Sequence, residues 1–202
     1  MRLYSDDLIE DYKKLVSMVH EYGTIIIPQL NMYRYARSVA PHKIVEVDDL
    51  TLEDIGNIKQ LYISAAVRAH KCGFDAIQLH LAYGWLLYRF ISPYCNHRRD
   101  SYGGSLENRA RIVTEIIRGI KAELPEMPIC AKFSFYANRE QNAYAADECA
   151  DICKTLYENG LDFIEVLGDH SNLERGNGNS SCYQELAFAV KEKCDIPIIL
   201  TG

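Results

Sequence analysis

The stretch "GFDAIQLHLAYGWLLYRFISP", residues 73–93, decides the fold, because a buried strand stops in it and chemically active side chains begin. The run from Phe74 to Leu79 is short and apolar and follows a glycine, which is typical of a strand covered on both faces. His80 falls at the carboxyl end of that run, and Tyr83 and Trp85 stand just after it. The pattern predicts a buried strand that presents a histidine at its end.

Composition and charge argue against several classes of protein. The 202 residues are 48% hydrophobic and 25% charged, which is typical of a globular protein with a substantial core. The formal net charge of −6 disfavours binding to nucleic acid or to an anionic membrane, because both favour a basic surface. The start, "MRLYSDDLIE", lacks the apolar segment of a signal peptide, and no run approaches the roughly 18 apolar residues of a membrane span. We therefore expect one cytoplasmic domain over residues 1–202.

The seven cysteines are odd in number and lack the paired short spacings of a zinc ribbon or a secreted disulfide framework. We expect free thiols. Cys149 and Cys153 lie one helical turn apart and could supply half of a metal site. They also continue an ordinary apolar helix stripe with Ala146, Ala150 and Leu156. The stripe is the favoured interpretation, and no metal site is predicted.

Helix-like segments alternate with strand-like runs along the sequence. Capping residues and a 3.6-residue apolar period predict five helices: one after Ser5 that ends near Gly23, one from Thr51 to Gly73, one from Ser105 through Ile120, one that ends near Gly160, and one near Tyr183–Lys193. A strand follows each helix: residues 24–30, the His80 strand, "ICAKFSF" (129–135), "LDFIEVLG" (161–168) and "IPIILTG" (196–202). Strands that alternate with helices in this way indicate parallel β/α units.

Two α/β architectures fit this alternation: a TIM-type (β/α)₈ barrel and an open doubly wound sheet. No G-x-G-x-x-G motif follows a strand, which weakens the dinucleotide-binding form of the open sheet. Both architectures collect polar side chains at the ends of the strands.

Residues 73–113 resemble the signature region of the Old Yellow Enzyme family of FMN-dependent ene-reductases, also called NADH:flavin oxidoreductases. The matching positions are Ser92-Pro93, Asn96, Arg98, Asp100, Tyr102-Gly103-Gly104-Ser105 and Asn108-Arg109. The similarity extends upstream through "LYSDDLIEDYKKLVSMVHEYG" and downstream to "IPIILTG", so that it covers nearly the whole chain. We interpret Arg98, Asp100 and Arg109 as structural ion pairs that fix the loop after the His80 strand.

The resemblance implies a (β/α)₈ barrel that holds FMN at the carboxyl ends of its strands. By that alignment the five strands correspond to the third through seventh of the family. The first, second and eighth have no counterpart, so we expect an incomplete barrel of about five β/α units. A fragment, a truncated gene product or one half of a split protein would each explain this.

The resemblance also implies the roles of four side chains. Gln29 matches the amide that grips the pyrimidine edge of the flavin, and His80 matches the histidine that hydrogen-bonds both flavin and substrate oxygen. Lys132 stands where the family carries a cation near the flavin, which stabilises the negative charge left by hydride uptake. Its ammonium lies in an otherwise apolar strand, so we expect a ligand-facing position that offsets the cost of burial. Tyr83 is predicted to supply the second hydrogen bond to the substrate.

Two positions depart from the family pattern. Tyr83 stands where the family usually has a second His or Asn, and a phenol can still donate a hydrogen bond from a longer arm. Trp85 replaces the tyrosine that protonates the α-carbon of the substrate, and an indole N–H is a poor acid. The predicted enzyme therefore lacks the usual proton donor.

The predicted function is that of an FMN-dependent oxidoreductase, which transfers hydride from NADH or NADPH through the flavin to an activated C=C bond or another electrophilic acceptor. The alternative is a degenerate or truncated relative without catalysis that acts as a ligand-binding or interaction fragment. The expected partners are a small electrophilic molecule and either further copies of the chain or a complementing chain. No nucleic acid or membrane partner is expected.

Overall fold

The computed structural model of this protein describes residues 3–33, 35–36, 44–134, 146–167 and 184–201. The helices in these ranges are α1 Ile9–His20, α2 Leu52–Cys72, α3 Leu86–Ile91, α4 Leu106–Glu123, α5 Ala146–Glu158 and α6 Gln184–Lys193. The strands are β1 Gln29–Leu30, β2 Tyr35–Ala36, β3 Ile44–Val45, β4 Ile77–Leu81, β5 Ile129–Ser134, β6 Phe163–Leu167 and β7 Ile198–Leu200. Short 3₁₀ turns lie at Asp6–Leu8 and Val47–Asp49.

The main sheet has five parallel strands in the order β1-β4-β5-β6-β7, and β2 and β3 form a separate antiparallel pair. Each strand of the main sheet therefore lies beside the next one along the chain, and the order never reverses. A doubly wound sheet contains such a reversal, whereas a (β/α)₈ barrel does not. The topology is that of an incomplete barrel, as the sequence predicted.

The two faces of this sheet differ in chemistry. Side chains alternate between the faces of a strand. One face is buried along the central strands β4, β5 and β6 and packs with the helices in one apolar core, to which these strands contribute Ile77, Leu79, Leu81, Ile129, Ala131, Phe133, Ile164 and Val166. The opposite face, called here the interior face, carries Gln29, Gln78, His80, Cys130, Lys132 and Glu165. The fold thus separates a sealed apolar layer from a polar one.

The predicted helix ends are confirmed where local chemistry sets them. Thr51 and Asp54 form a reciprocal capping box at the start of α2, and Gly73 ends that helix in the left-handed region with φ 88°. Ser105 accepts a hydrogen bond from the backbone N–H of Asn108 and so caps α4.

The extent of one predicted strand was wrong, and one short helix was not predicted. The strand expected at residues 24–30 pairs as a ladder only at Gln29–Leu30, because Pro28 has no N–H to extend the ladder. Before Pro28, Ile26 contacts Asp75 twice: its N–H donates to the carboxylate, and its carbonyl oxygen accepts from the backbone N–H of Asp75. Helix α3 was not anticipated, since its six residues are too few to display a helical period. The ends of three predicted strands and the start of the last predicted helix, at residues 135, 168, 202 and 183, lie outside the described ranges.

The loop between α3 and α4 is held by buried arginines. Arg98 pairs with Asp100 and donates to the carbonyl oxygens of Val47 and Leu50 at 2.7 and 2.6 Å. Arg109 donates to the carbonyl oxygens of Ile91 and Gly104 at 2.7 and 2.6 Å and pairs with Glu148. These contacts support the structural interpretation of both arginines.

The six cysteines within the described ranges are free thiols, and Cys182 lies outside those ranges. Cys149 and Cys153 are fully buried on α5 as part of the apolar core. Burial raises the pKa of both thiols, so each is a neutral S–H in the folded protein.

Candidate active site on the interior face

The structure brings Gln29, His80 and Lys132 to one face of the sheet. His80 and Lys132 are register partners on β4 and β5, and Gln29 pairs with Gln78 across β1 and β4. The amide Nε2 of Gln29 donates to Oε1 of Gln78 at 2.7 Å. The three residues therefore share one surface, although the first and the last of them, Gln29 and Lys132, are 103 positions apart in the sequence.

Glu165 on β6 is the centre of this surface, and sequence analysis missed it. Its carboxylate accepts hydrogen bonds from Lys132 Nζ at 2.8 Å, from Gln78 Nε2 at 2.7 Å and from Thr201 Oγ1 at 3.0 Å. Burial opposes its ionisation, but the hydrogen bonds from Lys132 and Gln78 outweigh burial and hold its pKa below the usual value. Glu165 is therefore a charged acceptor on the interior face.

The ion pair between Lys132 and Glu165 corrects the expectation that a ligand offsets the cost of burying Lys132. The sequence suggested that a ligand would offset the cost of burying the ammonium, whereas Glu165 already does so within the protein. A signal was available, because Glu165 interrupts the apolar run "LDFIEVL" just as Lys132 interrupts "ICAKFSF". Two opposite charges in neighbouring parallel strands predict a cross-strand pair once the register is known.

The imidazole of His80 is 5% exposed, and its Nδ1 has no hydrogen-bond partner among the described residues. Burial lowers the pKa of His80, the charge of Lys132 lowers it further and Glu165 partly opposes both, which together leaves the pKa at about 4. At neutral pH the ring is uncharged, so it carries one N–H donor and one acceptor nitrogen. Such a ring can bind a ligand without a competing charge.

A tight turn places Tyr83 beside His80. The N–H of Trp85 donates to the carbonyl oxygen of Ala82 at 3.2 Å, and both residues between them have positive φ, 55° at Tyr83 and 71° at Gly84. This is the pattern of a type I′ turn, and positive φ is unfavourable for tyrosine. The rings of Tyr83 and His80 lie 6.0 Å apart, and 39% of Tyr83 is exposed. The turn thus holds a phenol next to the imidazole at some cost in backbone strain.

Trp85 forms a wall against the other side of His80. Its ring meets the imidazole edge-on with centroids 5.2 Å apart, and Tyr33 meets Trp85 in the same manner at 5.4 Å. The N–H of Leu86 donates to the carbonyl oxygen of Met32 at 3.0 Å, which ties the two aromatic segments together. The arrangement is suited to a flat ligand that needs polar contacts at one edge and apolar contacts on its faces.

The whole chain, residues 1–202, matches the NADH:flavin oxidoreductase / NADH oxidase family, and it belongs to that family. It is 32% identical to an NADPH dehydrogenase of Clostridium acetobutylicum, over 99% of this chain and 62% of the relative. It is 33% identical to an NADH oxidase of Thermoanaerobacter brockii, over 100% of this chain and 34% of the relative. The chain therefore spans less than two thirds of the length of either relative.

Solved structures show the same fold. An old yellow enzyme homologue from Zymomonas mobilis superposes with a TM-score of 0.76 at 21% identity, over 99% of this chain and 62% of that one. A 2-naphthoyl-CoA reductase superposes with a TM-score of 0.83 at 21% identity, over 99% of this chain and 35% of that one. The resemblance read from the sequence and the barrel fold that it implied are confirmed.

The described residues contain neither a membrane-spanning helix nor a cluster of metal-binding side chains. None of their helices is long and apolar enough to cross a membrane. Nor do three or more His, Cys, Asp or Glu side chains gather there in a group that could hold a metal ion.

Proposed function

We propose that this chain carries the flavin-facing part of an FMN-dependent oxidoreductase that uses NADH or NADPH to reduce a small electrophilic acceptor. The supporting observation is the neutral imidazole of His80, which is buried beside Lys132 with its Nδ1 unpartnered on a face that also holds Gln29. An unpartnered buried polar atom is costly, and a bound ligand removes that cost.

The polar groups of the interior face support FMN as the proposed ligand. Gln29 offers an amide to a ring edge with its own donors and acceptors, and Lys132 offers a positive charge. When bound, FMN supplies the hydride-transfer chemistry. The roles of the protein are to bind the ring, to orient it and to place a cation where negative charge develops.

His80 and Tyr83 are the proposed contacts to the acceptor. A neutral imidazole N–H and a phenol O–H both donate hydrogen bonds, so the pair can polarise a carbonyl or nitro oxygen from two directions. Trp85 stands where the family has its proton-donating tyrosine, and an indole has no acidic proton to give. In this proposal the carbon that receives hydride must take its proton from another source.

The proposed acceptor is a small molecule, because the polar groups converge on one face and the formal net charge of −6 gives nucleic acid no basic surface to bind. We also propose that the protein works in the cytoplasm, where NADH and NADPH are available. Membership of the family and the negative net charge support both proposals.

Titration of the purified chain with FMN tests the proposal. Saturable binding that quenches flavin fluorescence is expected, and His80→Asn should weaken it about tenfold through the loss of a buried hydrogen bond. The matched control is His97→Asn, because the side chain of His97 is 67% exposed and pairs with Asp48 away from the interior face. The absence of binding in the parent chain would reject the proposal.

A second candidate is a non-catalytic fragment completed by another polypeptide. The outer edges of β1 and β7 have no strand partner within the described residues, and Ile199 and Leu200 are 48% and 40% exposed. Unpaired edges of this kind recruit further strands. An assembly of defined size in analytical ultracentrifugation, without FMN binding, would favour this candidate.

A further inference from the structure

The hydrogen bonds of the interior face form one directed chain. Glu165 can only accept, so Gln78 must turn its Nε2 towards it, and the observed distance is 2.7 Å. The Oε1 of Gln78 then faces the opposite way and accepts from Nε2 of Gln29 at 2.7 Å. The charge on one carboxylate therefore sets the orientation of two amides in sequence.

This hydrogen-bond chain fixes the orientation of the side-chain amide of Gln29. One N–H of its amide is used by Gln78, which leaves its Oε1 and a second N–H for a ligand. Among the described residues nothing else hydrogen-bonds to this amide. Gln29 therefore presents an acceptor and a donor side by side, which complements a ring edge that has an imide N–H next to a carbonyl oxygen.

We propose that Glu165 is a positioning residue that fixes the polarity of Gln29 through Gln78 and thereby selects a ligand with an imide edge. This inference rests on the proposed function, since the pyrimidine ring of FMN carries such an edge. Glu165 also fixes Lys132 at 2.8 Å, so one carboxylate aligns both the amide and the cation. Replacing the carboxylate by an amide frees Gln78, and hence Gln29, to adopt either orientation.

The first arm of the test needs no flavin. In ¹H–¹⁵N spectra of the ligand-free chain, Glu165→Gln should shift the side-chain amide resonances of both Gln78 and Gln29. Glu165→Asp keeps an acceptor-only carboxylate and should shift them less. The control is Glu115→Gln, which removes the carboxylate from a different lysine pair, with Lys59, and should leave both amides unchanged. Movement of Gln78 alone, with Gln29 unchanged, would overturn the proposal.

The second arm compares FMN with N3-methyl-FMN, which lacks the imide N–H. The parent chain should bind the methylated analogue about tenfold more weakly, and Glu165→Gln should reduce this discrimination to less than threefold. A merely structural effect would weaken both ligands equally, and undiminished discrimination would overturn the proposal. If FMN does not bind the parent chain, the proposed function fails, while the spectra of the first arm still decide whether Glu165 controls Gln29.

Discussion

His80 and Lys132 are register partners on neighbouring strands, and the ammonium adds to burial in keeping the imidazole neutral. The relationship ties the protonation of His80 to the charges beside it. Lys132→Met should therefore raise the pKa of His80 above about 4, and Glu165→Gln should lower it. The measurement is an NMR titration of the imidazole. Equal values in the parent and both variants would contradict this electrostatic coupling.

The same histidine makes stability depend on pH. Its folded pKa, about 4, lies below the unfolded value of 6.5, so its contribution is complete above pH 6.5 and is lost as the pH falls towards 4. The expected loss is up to about 3 kcal/mol in the free energy of unfolding. Urea unfolding at several pH values should show this slope in the parent and a flatter one in His80→Asn.

Replacing Lys132 by Met should make bound FMN harder to reduce. The change removes the cation and also leaves the charge of Glu165 without its ion-pair partner, so the potential should fall by about 30–60 mV, the equivalent of one hydrogen bond to a charged group. Lys132→Arg keeps the charge and serves as the control. Redox titration against a reference dye gives the value. An unchanged or higher potential in Lys132→Met would rule out the assigned role of the charge.

Trp85→Tyr should raise the reduction of enones selectively. The new hydroxyl would supply a general acid beside His80, and general-acid catalysis contributes roughly 10²-fold or more. Quinones and nitro compounds, whose reduction needs no proton on carbon from this residue, should change little. Trp85→Phe is the control for loss of the indole. Rapid mixing of the reduced, FMN-loaded protein with a cyclic enone gives the rate. Fast enone turnover in the parent would point instead to another donor, and Tyr33→Phe would identify it.

Two glycines should respond in opposite directions to alanine. A Cβ on Gly103 would lie 2.2 Å from the carbonyl oxygen of Arg98, so Gly103→Ala should cost about 1–3 kcal/mol in the free energy of unfolding. Gly56 lies inside α2 with nothing within 4 Å of an added Cβ, so Gly56→Ala should stabilise the protein by about 0.5–1 kcal/mol. Chemical denaturation of both variants checks the pair. A stable Gly103→Ala protein would show that the loop can move.

The long helices and the order of the β/α units could be predicted from the sequence, because capping residues and apolar periods are local signals. Thr51, Gly73 and Ser105 each marked a helix end that the structure reproduces. Helix α3 was not predicted, because six residues are too few to show a helical period. The length of β1 was overestimated, because strand pairing depends on neighbouring strands that a local pattern does not contain.

Some residues of the candidate site could also be predicted from the sequence, and one could not. Gln29, His80 and Lys132 were found through resemblance to a family, and the structure places them on one face. Glu165 was missed because its importance comes from a pairing with Lys132, which lies 33 positions away, and from a bond to Gln78, which lies 87 positions away. Only the registers of β4 against β5 and of β5 against β6 bring those side chains together.

The alternation of polar and apolar side chains in β5 also protects the fold against misalignment. If β5 slipped by one residue, Lys132 would turn into the apolar layer under the helices, and Ala131 or Phe133 would replace it opposite Glu165. Lys132 would then be buried without a partner and Glu165 would lose its cation, at a cost of several kcal/mol. A single-residue insertion or deletion within β5 should therefore be far less tolerated than a conservative substitution there. The polar residues proposed to take part in the chemistry therefore also fix the register of the sheet.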